Sequence, residues 1–168
     1  MRVEKDITVN APVDKVYGMW TDFENFPSFM DNVESVRKTG DMTYHWKAKI
    51  GPFEKEWDAK VQGLVENRTV TWRSTSGAEN AGAVTLSERG NVTNMHVVIE
   101  YDPTWTEAIG DAITGTLSRS VEEDLARFKR LAEGRDPKLA DAGDAEPARG
   151  QSGSSGRDPF YDKDRNDS

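Results

Sequence analysis

The chain has 168 residues with 35% apolar and 31% charged residues, no cysteine and a formal charge of −8. That length fits one domain and a sizeable core. The lack of cysteine excludes disulfides, thiolate chemistry and cysteine-based metal sites, and fits a reducing, cytoplasmic location. A net negative domain repels phosphate backbones, and its basic residues are scattered among carboxylates, so nucleic acid is not an expected partner. No apolar run approaches the ~20 residues of a membrane span, and the N-terminus carries no secretory pattern.

In chain order, Val3, Ile7 and Val9 alternate with Glu4, Asp6 and Thr8, predicting a half-buried strand. Pro12 suits a helix start, and Val13, Val16, Tyr17 and Trp20 follow at helical spacing. Asp22 is the expected N-cap of a second short helical segment through Phe23, Phe26 and Phe29, interrupted by Pro27. The period then changes to two. Strands are predicted around Val33 and Val36, from Tyr44 to Ile50, from Phe53 to Val61, around Val70 and Trp72, from Ala83 to Leu86, and from Met95 to Tyr101. Short turn clusters between them favour an antiparallel meander with one solvated face.

After Asp102-Pro103, apolar residues recur every three or four positions: Trp105, Ile109, Ile113, Leu117, Val121, Leu125, Phe128 and Leu131. This predicts a long helix that Gly134 stops and whose stripe must lie on the concave sheet face. Gly110 and Gly115 weaken its start, where ligand entry would need flexing. Glu123 and Arg127 are four apart in the favourable order on the outer face. Residues 134–168 lose all periodicity; this acidic Gly/Ser/Asp-rich tail is expected to be disordered, with Phe160-Tyr161 its one aromatic pair.

The combination of residues 7–16 (ITVNAPVDKV), 20–30 (WTDFENFPSFM) and 72–74 (WRS) resembles the START/Bet v 1-like (SRPBCC) superfamily, in its polyketide cyclase/dehydrase and coenzyme-Q-binding branch. The resemblance covers residues 1–133 and not the tail. It implies an α+β helix-grip fold: a curved antiparallel sheet of about seven strands, two short helices and a long C-terminal helix. It also implies a deep apolar cavity between sheet and helix that accepts lipids, quinones or polyketides. A fold label does not name the ligand.

From strand phase, the residues expected to face that cavity and bind ligand are Tyr44, Trp46, Lys55, Trp57, Trp72, Met95, Val97, Ile99 and Tyr101. Ile109, Ile113 and Leu117 join them from the helix. Trp57 is expected to matter more to a ligand than Trp20. Large aromatics either stack on a planar ligand or pack the gap shut, and both outcomes stand open. Lys55 shares the phase of Phe53 and Trp57, which puts its stem at the pocket mouth or snorkelled to solvent.

Catalytic patterns are weak. His45 and His96 sit at the polar phase, with no spaced metal-ligand motif, so no metal is expected. Glu54, Glu56 and Asp58 share one strand face and cannot oppose each other across a cleft. Ser74, Ser76 and Ser87 have no adjacent histidine, and no glycine-rich phosphate loop is present. Binding or carriage of an apolar small molecule is therefore the leading expectation, with no cofactor. The alternative is a cyclase/dehydrase-like enzyme with Tyr44, Arg73 or Tyr101 assisting proton transfer. A third reading is a protein-interaction module. The partner is an apolar ligand; transient membrane contact is left open, as is a monomer or a homodimer.

Overall fold

A computed structural model describes residues 1–50, 52–102 and 111–135, and their side chains except at 50 and 111–114. Pro103, Trp105, Ile109, Gly110 and the tail from 136 onward lie outside the described residues, as does the side chain of Ile113.

The alternation read from the sequence becomes seven strands: β1 (Arg2–Val9), β2 (Val33–Gly40), β3 (Thr43–Ile50), β4 (Phe53–Val65), β5 (Thr69–Gly77), β6 (Asn80–Arg89) and β7 (Val92–Tyr101). Helix α1 (Val13–Trp20) and a 3₁₀ segment (Phe23–Ser28) join β1 to β2, and helix α2 (Asp111–Ala132) follows β7. All neighbouring strands are antiparallel, in the order β1-β7-β6-β5-β4-β3-β2. The first strand thus closes one edge beside the last. The α1–3₁₀ connection carries the chain to the opposite edge, along the face that α2 covers.

Register shifts bend the sheet. They fall between Val33 and Ser35 and between Lys38 and Gly40 in β2, and between Asp58 and Ala59 and between Val61 and Gly63 in β4. Each bulge adds local twist, so the sheet curls round the helix instead of lying flat beside it. Trp72 faces Gly82 across β5 and β6, and even a methyl group at 82 would overlap the Trp72 ring. Glycine there gives the indole its place on the concave face.

The core is continuous. Val9, Val16, Trp20, Val70, Val84, Met95, Val97 and Phe128 are each at most 1% exposed, joining α1, the sheet and α2. Helix α2 lays Leu117, Val121, Leu125, Phe128 and Ala132 inward, as its stripe requires. Its C-terminus is a left-handed glycine cap. Gly134 has φ +76°, the Gly134 N–H donates to the Leu131 carbonyl, and the Arg135 N–H donates to the Arg130 carbonyl.

Three local expectations are corrected. The Asp22 side chain makes no capping hydrogen bond; the 3₁₀ segment is held instead by its aromatic rings, which are buried. Strands β4 and β6 run beyond their apolar cores, to Val65 and from Asn80 to Arg89, because the hairpin ladders extend past the buried part. Arg127 is not an outer-face partner of Glu123. It is buried, and its guanidinium meets Asp124 and Asp31. Among the described residues, no helix is long and apolar enough to cross a membrane.

Candidate functional site

Between α2 and the curled sheet lies a cavity of about 90 Å³. Most elements supply a wall, β1 excepted. Trp20, Phe23 and Phe26 come from the α1–3₁₀ connection, Tyr44 and Trp46 from β3, Trp57, Ala59 and Val61 from β4, and Trp72 from β5. Ile99 and Tyr101 come from β7, and Leu117, Ser120, Val121 and Asp124 from α2. The aromatic walls hold one another. Trp46 and Trp57, cross-strand partners, stack at 5.9 Å with planes 6° apart; the Phe23 ring meets Tyr44 edge-on at 5.0 Å and Phe26 meets Trp46 edge-on at 5.4 Å. Stacked and edge-on pairs lock ring orientation, so the walls are preformed.

The volume decides between the two readings of those aromatics. A dry cavity of about 150 Å³ accommodates benzene. At about 90 Å³ this one is smaller, so the rings fill most of the gap but do not close it. It admits a single ring or a thin chain only if a wall yields slightly.

Polar groups gather on the helix side. The Asn32 amide donates to the Ser120 hydroxyl at 2.5 Å. Asp124, only 5% exposed, accepts from the Arg127 guanidinium at 2.7 Å and from the Asp31 backbone N–H at 3.3 Å. Arg127 also donates through Nε to the Phe29 carbonyl at 3.0 Å and meets the Asp31 carboxylate at 3.1 Å. Burial pushes the Asp124 carboxyl up to about 6, although the hydrogen bonds from Arg127 and Asp31 and the Arg127 charge pull it down. Burial also raises the Tyr101 hydroxyl above its ordinary range, with the Asp124 charge adding to the effect, so Tyr101 stays protonated. On the sheet side the Trp72 Nε1–H donates to the Asn80 side-chain oxygen at 2.9 Å.

Of the residues expected to line a pocket, Tyr44, Trp46, Trp57, Trp72, Ile99, Tyr101 and Leu117 are in its wall. Met95 and Val97 face the same way but are buried in the core outside the lining, and Lys55, half-buried opposite Ala48, also lies outside it. Arg73 is exposed and borders a different, more open and more polar groove with Arg2 and Ser76. Sequence reasoning missed Trp20 and Asp124. Asp124 falls three residues after Val121 and four before Phe128, so the helical stripe itself marked it as inward.

The outer sheet face carries both histidines. His45 bonds Asp58 at 2.9 Å, and His96 sits between Glu4 at 2.9 Å and Asp6 at 2.7 Å. The hydrogen bonds from Ser76 and then His45 lower the Asp58 carboxyl, and the bond to Asp6 leads the rise at His96. Among the described residues, no three His, Cys, Asp or Glu side chains are placed to hold a metal ion.

A curled seven-stranded antiparallel sheet gripping a C-terminal helix, with an aromatic cavity between them, defines an α+β protein of the helix-grip fold. Residues 9–130 match the family described as polyketide cyclase / dehydrase and lipid transport, and the chain belongs to it. A curated relative from Streptomyces lincolnensis, described as an uncharacterized 17.2 kDa protein, is 35% identical over 80% of this chain and 91% of its own. Among solved structures, a Thermus thermophilus protein superposes with TM-score 0.68 at 16% identity, covering 80% of this chain and 98% of that one. The Zhui aromatase/cyclase of a Streptomyces superposes with TM-score 0.64 at 15% identity, covering 79% and 93%. At these identities the two structures speak for the fold alone.

Proposed function

We propose that this chain binds and carries an apolar small molecule in the cavity between the sheet and α2, without changing it chemically. The observation that carries the reading is the wall itself: four indoles, four further aromatic rings and small aliphatic side chains enclose a space with few polar groups. Such a surface gains by burying apolar area, at roughly 25 cal/mol per Å². The cavity volume points to a ligand with a single ring or a thin chain at the point of contact. The absence of cysteine supports a cytoplasmic site of action.

Ala59 tests this reading. It is 3% exposed, lines the cavity, and pairs with Tyr44 and Ser74 across the sheet. Leucine at 59 adds three carbons into the void. Ala59→Leu is expected to weaken isopropenylbenzene binding, followed by tryptophan fluorescence, at least ~10-fold. Filling space that exists already should change unfolding free energy by less than the roughly 1–3 kcal/mol of overpacking a full core. Unchanged binding in a folded Ala59→Leu chain would remove the cavity as the binding site. Solvent extraction of freshly purified protein should also release an apolar compound.

One observation favours a second reading, an enzyme of the cyclase/dehydrase type. Asp124 is a buried carboxyl in the cavity wall with its proton affinity raised to about 6, close to what a general base requires. Tyr101 beside it would serve as donor. Turnover of a poly-β-ketone thioester analogue that disappears in a folded Asp124→Asn variant would establish this role; no turnover in the parent chain would end it.

A further inference from the structure

The two hydrogen bonds that Asp124 accepts both land on one oxygen. Its Oδ1 takes the Arg127 guanidinium at 2.7 Å and the Asp31 backbone N–H at 3.3 Å. Among the described residues, no donor reaches the other oxygen, Oδ2. That oxygen is not sealed away either. The one unpartnered side-chain nitrogen or oxygen closed off from water, among the described residues, is Nε1 of Trp20. Asp124 as a whole is only 5% exposed and lines the cavity. Leu117, Val121 and Asp124 follow one another at helical spacing along that wall, so the carboxyl stands on the cavity side of α2. With Oδ1 engaged by Arg127 and Asp31, Oδ2 is the acceptor that Asp124 presents to the space.

We propose that Asp124 Oδ2 is the recognition point of the cavity, and that the ligand class is an uncharged apolar ring bearing a hydroxyl. The inference rests on the carrier reading and adds to it the chemistry of recognition. A guest made only of hydrocarbon would cover Oδ2 and take water from a carboxylate oxygen that no protein donor then serves. An oxygen left in that state costs the full desolvation penalty of the group. A hydroxyl proton removes the penalty at a single point of contact. The count of donors favours a hydroxyl over an ammonium, which brings three N–H groups to one open oxygen. An ammonium also brings a charge, and Arg127 already stands 2.7 Å from Asp124 as its counter-ion. An anionic guest is opposed by Asp124 itself and by the −8 charge of the chain. The competing explanation is that Oδ2 keeps a water beside any guest, in which case the ligand needs no donor.

The test compares phenol with toluene, which have nearly the same shape and carry OH and CH₃ respectively. Affinities are measured by calorimetry for the full chain and for Asp124→Asn. In the variant the single side-chain oxygen is held by Arg127 and the Asp31 N–H, so an amide NH₂ takes the place of the open acceptor. The phenol-to-toluene affinity ratio is expected to fall roughly tenfold, the lower end for a hydrogen bond to a charged group. Hydrophobicity differences between the probes cancel in that comparison. A second measurement needs no variant. The Asp124 carboxyl carbon resonance, traced from its own backbone, is followed through a pH titration. Its midpoint is expected to fall with phenol bound and not with toluene, because a donor to the carboxylate favours the charged form. Arg127, Asp31 and Tyr101, the charged or titratable groups that face Asp124, are common to both titrations. An unchanged ratio, or a midpoint that phenol does not lower, with both probes still bound overturns the hydroxyl anchor and leaves the carrier reading intact. Benzylammonium binding more tightly than phenol overturns the uncharged class. Failure of both probes to bind the unaltered chain overturns the carrier reading and the anchor together.

Discussion

Replacing Phe128 with alanine is expected to lower the unfolding free energy by about 4 kcal/mol, read from urea denaturation at neutral pH. Phe128 has no exposed surface and sits where the long helix meets the α1–3₁₀ connection. Its ring lies 5.3 Å from Trp20 at 80° and 5.1 Å from Phe29 at 65°. Truncating a buried phenylalanine costs roughly 3–5 kcal/mol, because transfer free energy is lost and the surroundings collapse only in part. Two edge-on aromatic pairs are lost with it, each worth about 0.5–1.5 kcal/mol beyond area. Collapse is resisted here from both sides. Trp20 also abuts Phe26 and Phe29, and Phe29 is tied through its carbonyl to Arg127. A loss below about 2 kcal/mol would show that these rings re-pack freely, and the claim of preformed aromatic walls would fall with it. Because Phe128 backs the Trp20 indole, the same variant should also loosen ligand binding, through position and not through contact.

The fold was legible because each strand wears its environment in a period of two. Tyr44, Trp46 and Ala48 alternate with His45, Lys47 and Lys49, and the tryptophans line the cavity while His45 pairs with Asp58 on the other face. Phase gives face, but it does not give position along the face. Met95 and Val97 share the inward phase with Ile99, yet they pair with Ile7 and Lys5 on β1, and only Ile99, two residues further on, reaches the cavity. Lys55 is opposite Ala48, whose methyl reaches the lining while the longer lysine does not. The helix hid its polar site for a different reason. An aspartate or arginine in an amphipathic pattern reads as solvent-facing, and Glu123–Arg127 has the spacing of an ordinary surface pair. The stripe spacing placed Asp124 inward in spite of its charge, but only tertiary packing shows that Arg127 turns in beside it, where the Asp31 carboxylate and the Phe29 carbonyl complete its partners. Trp20 was masked by its helix: the α1 periodicity explained its burial fully, leaving no reason to ask whether the far side of the ring bordered a void.

The buried ion pair makes the pH dependence of stability a sharp test of which force controls the site. Asp124 has its proton affinity raised from 3.8 to about 6, chiefly by burial. A group that holds its proton more tightly in the folded state stabilises that state fully below the unfolded value. That contribution is lost as pH rises through the folded value. Relative to Asp124→Asn, which cannot titrate, the parent chain is therefore expected to lose about 2.4 kcal/mol of stability between pH 4 and pH 8, at roughly 1.4 kcal/mol per pH unit of the difference still in force at pH 4. His96, whose raised value acts in the same direction, and Asp58 and Glu133, whose lowered values act oppositely, are common to both chains and cancel in the difference. Urea midpoints for both chains at three pH values would measure it. If the parent instead gains on the variant as pH rises, the Arg127 charge outweighs desolvation, and Asp124 is a fixed carboxylate holding the guanidinium in place. If the parent loses as expected, ionised Asp124 is held at a cost that the rest of the fold bears. Such a strained carboxyl would be more stable protonated or hydrogen-bonded to a ligand's hydroxyl, so the direction of this slope also bears on whether the cavity only carries its guest or can move a proton on it.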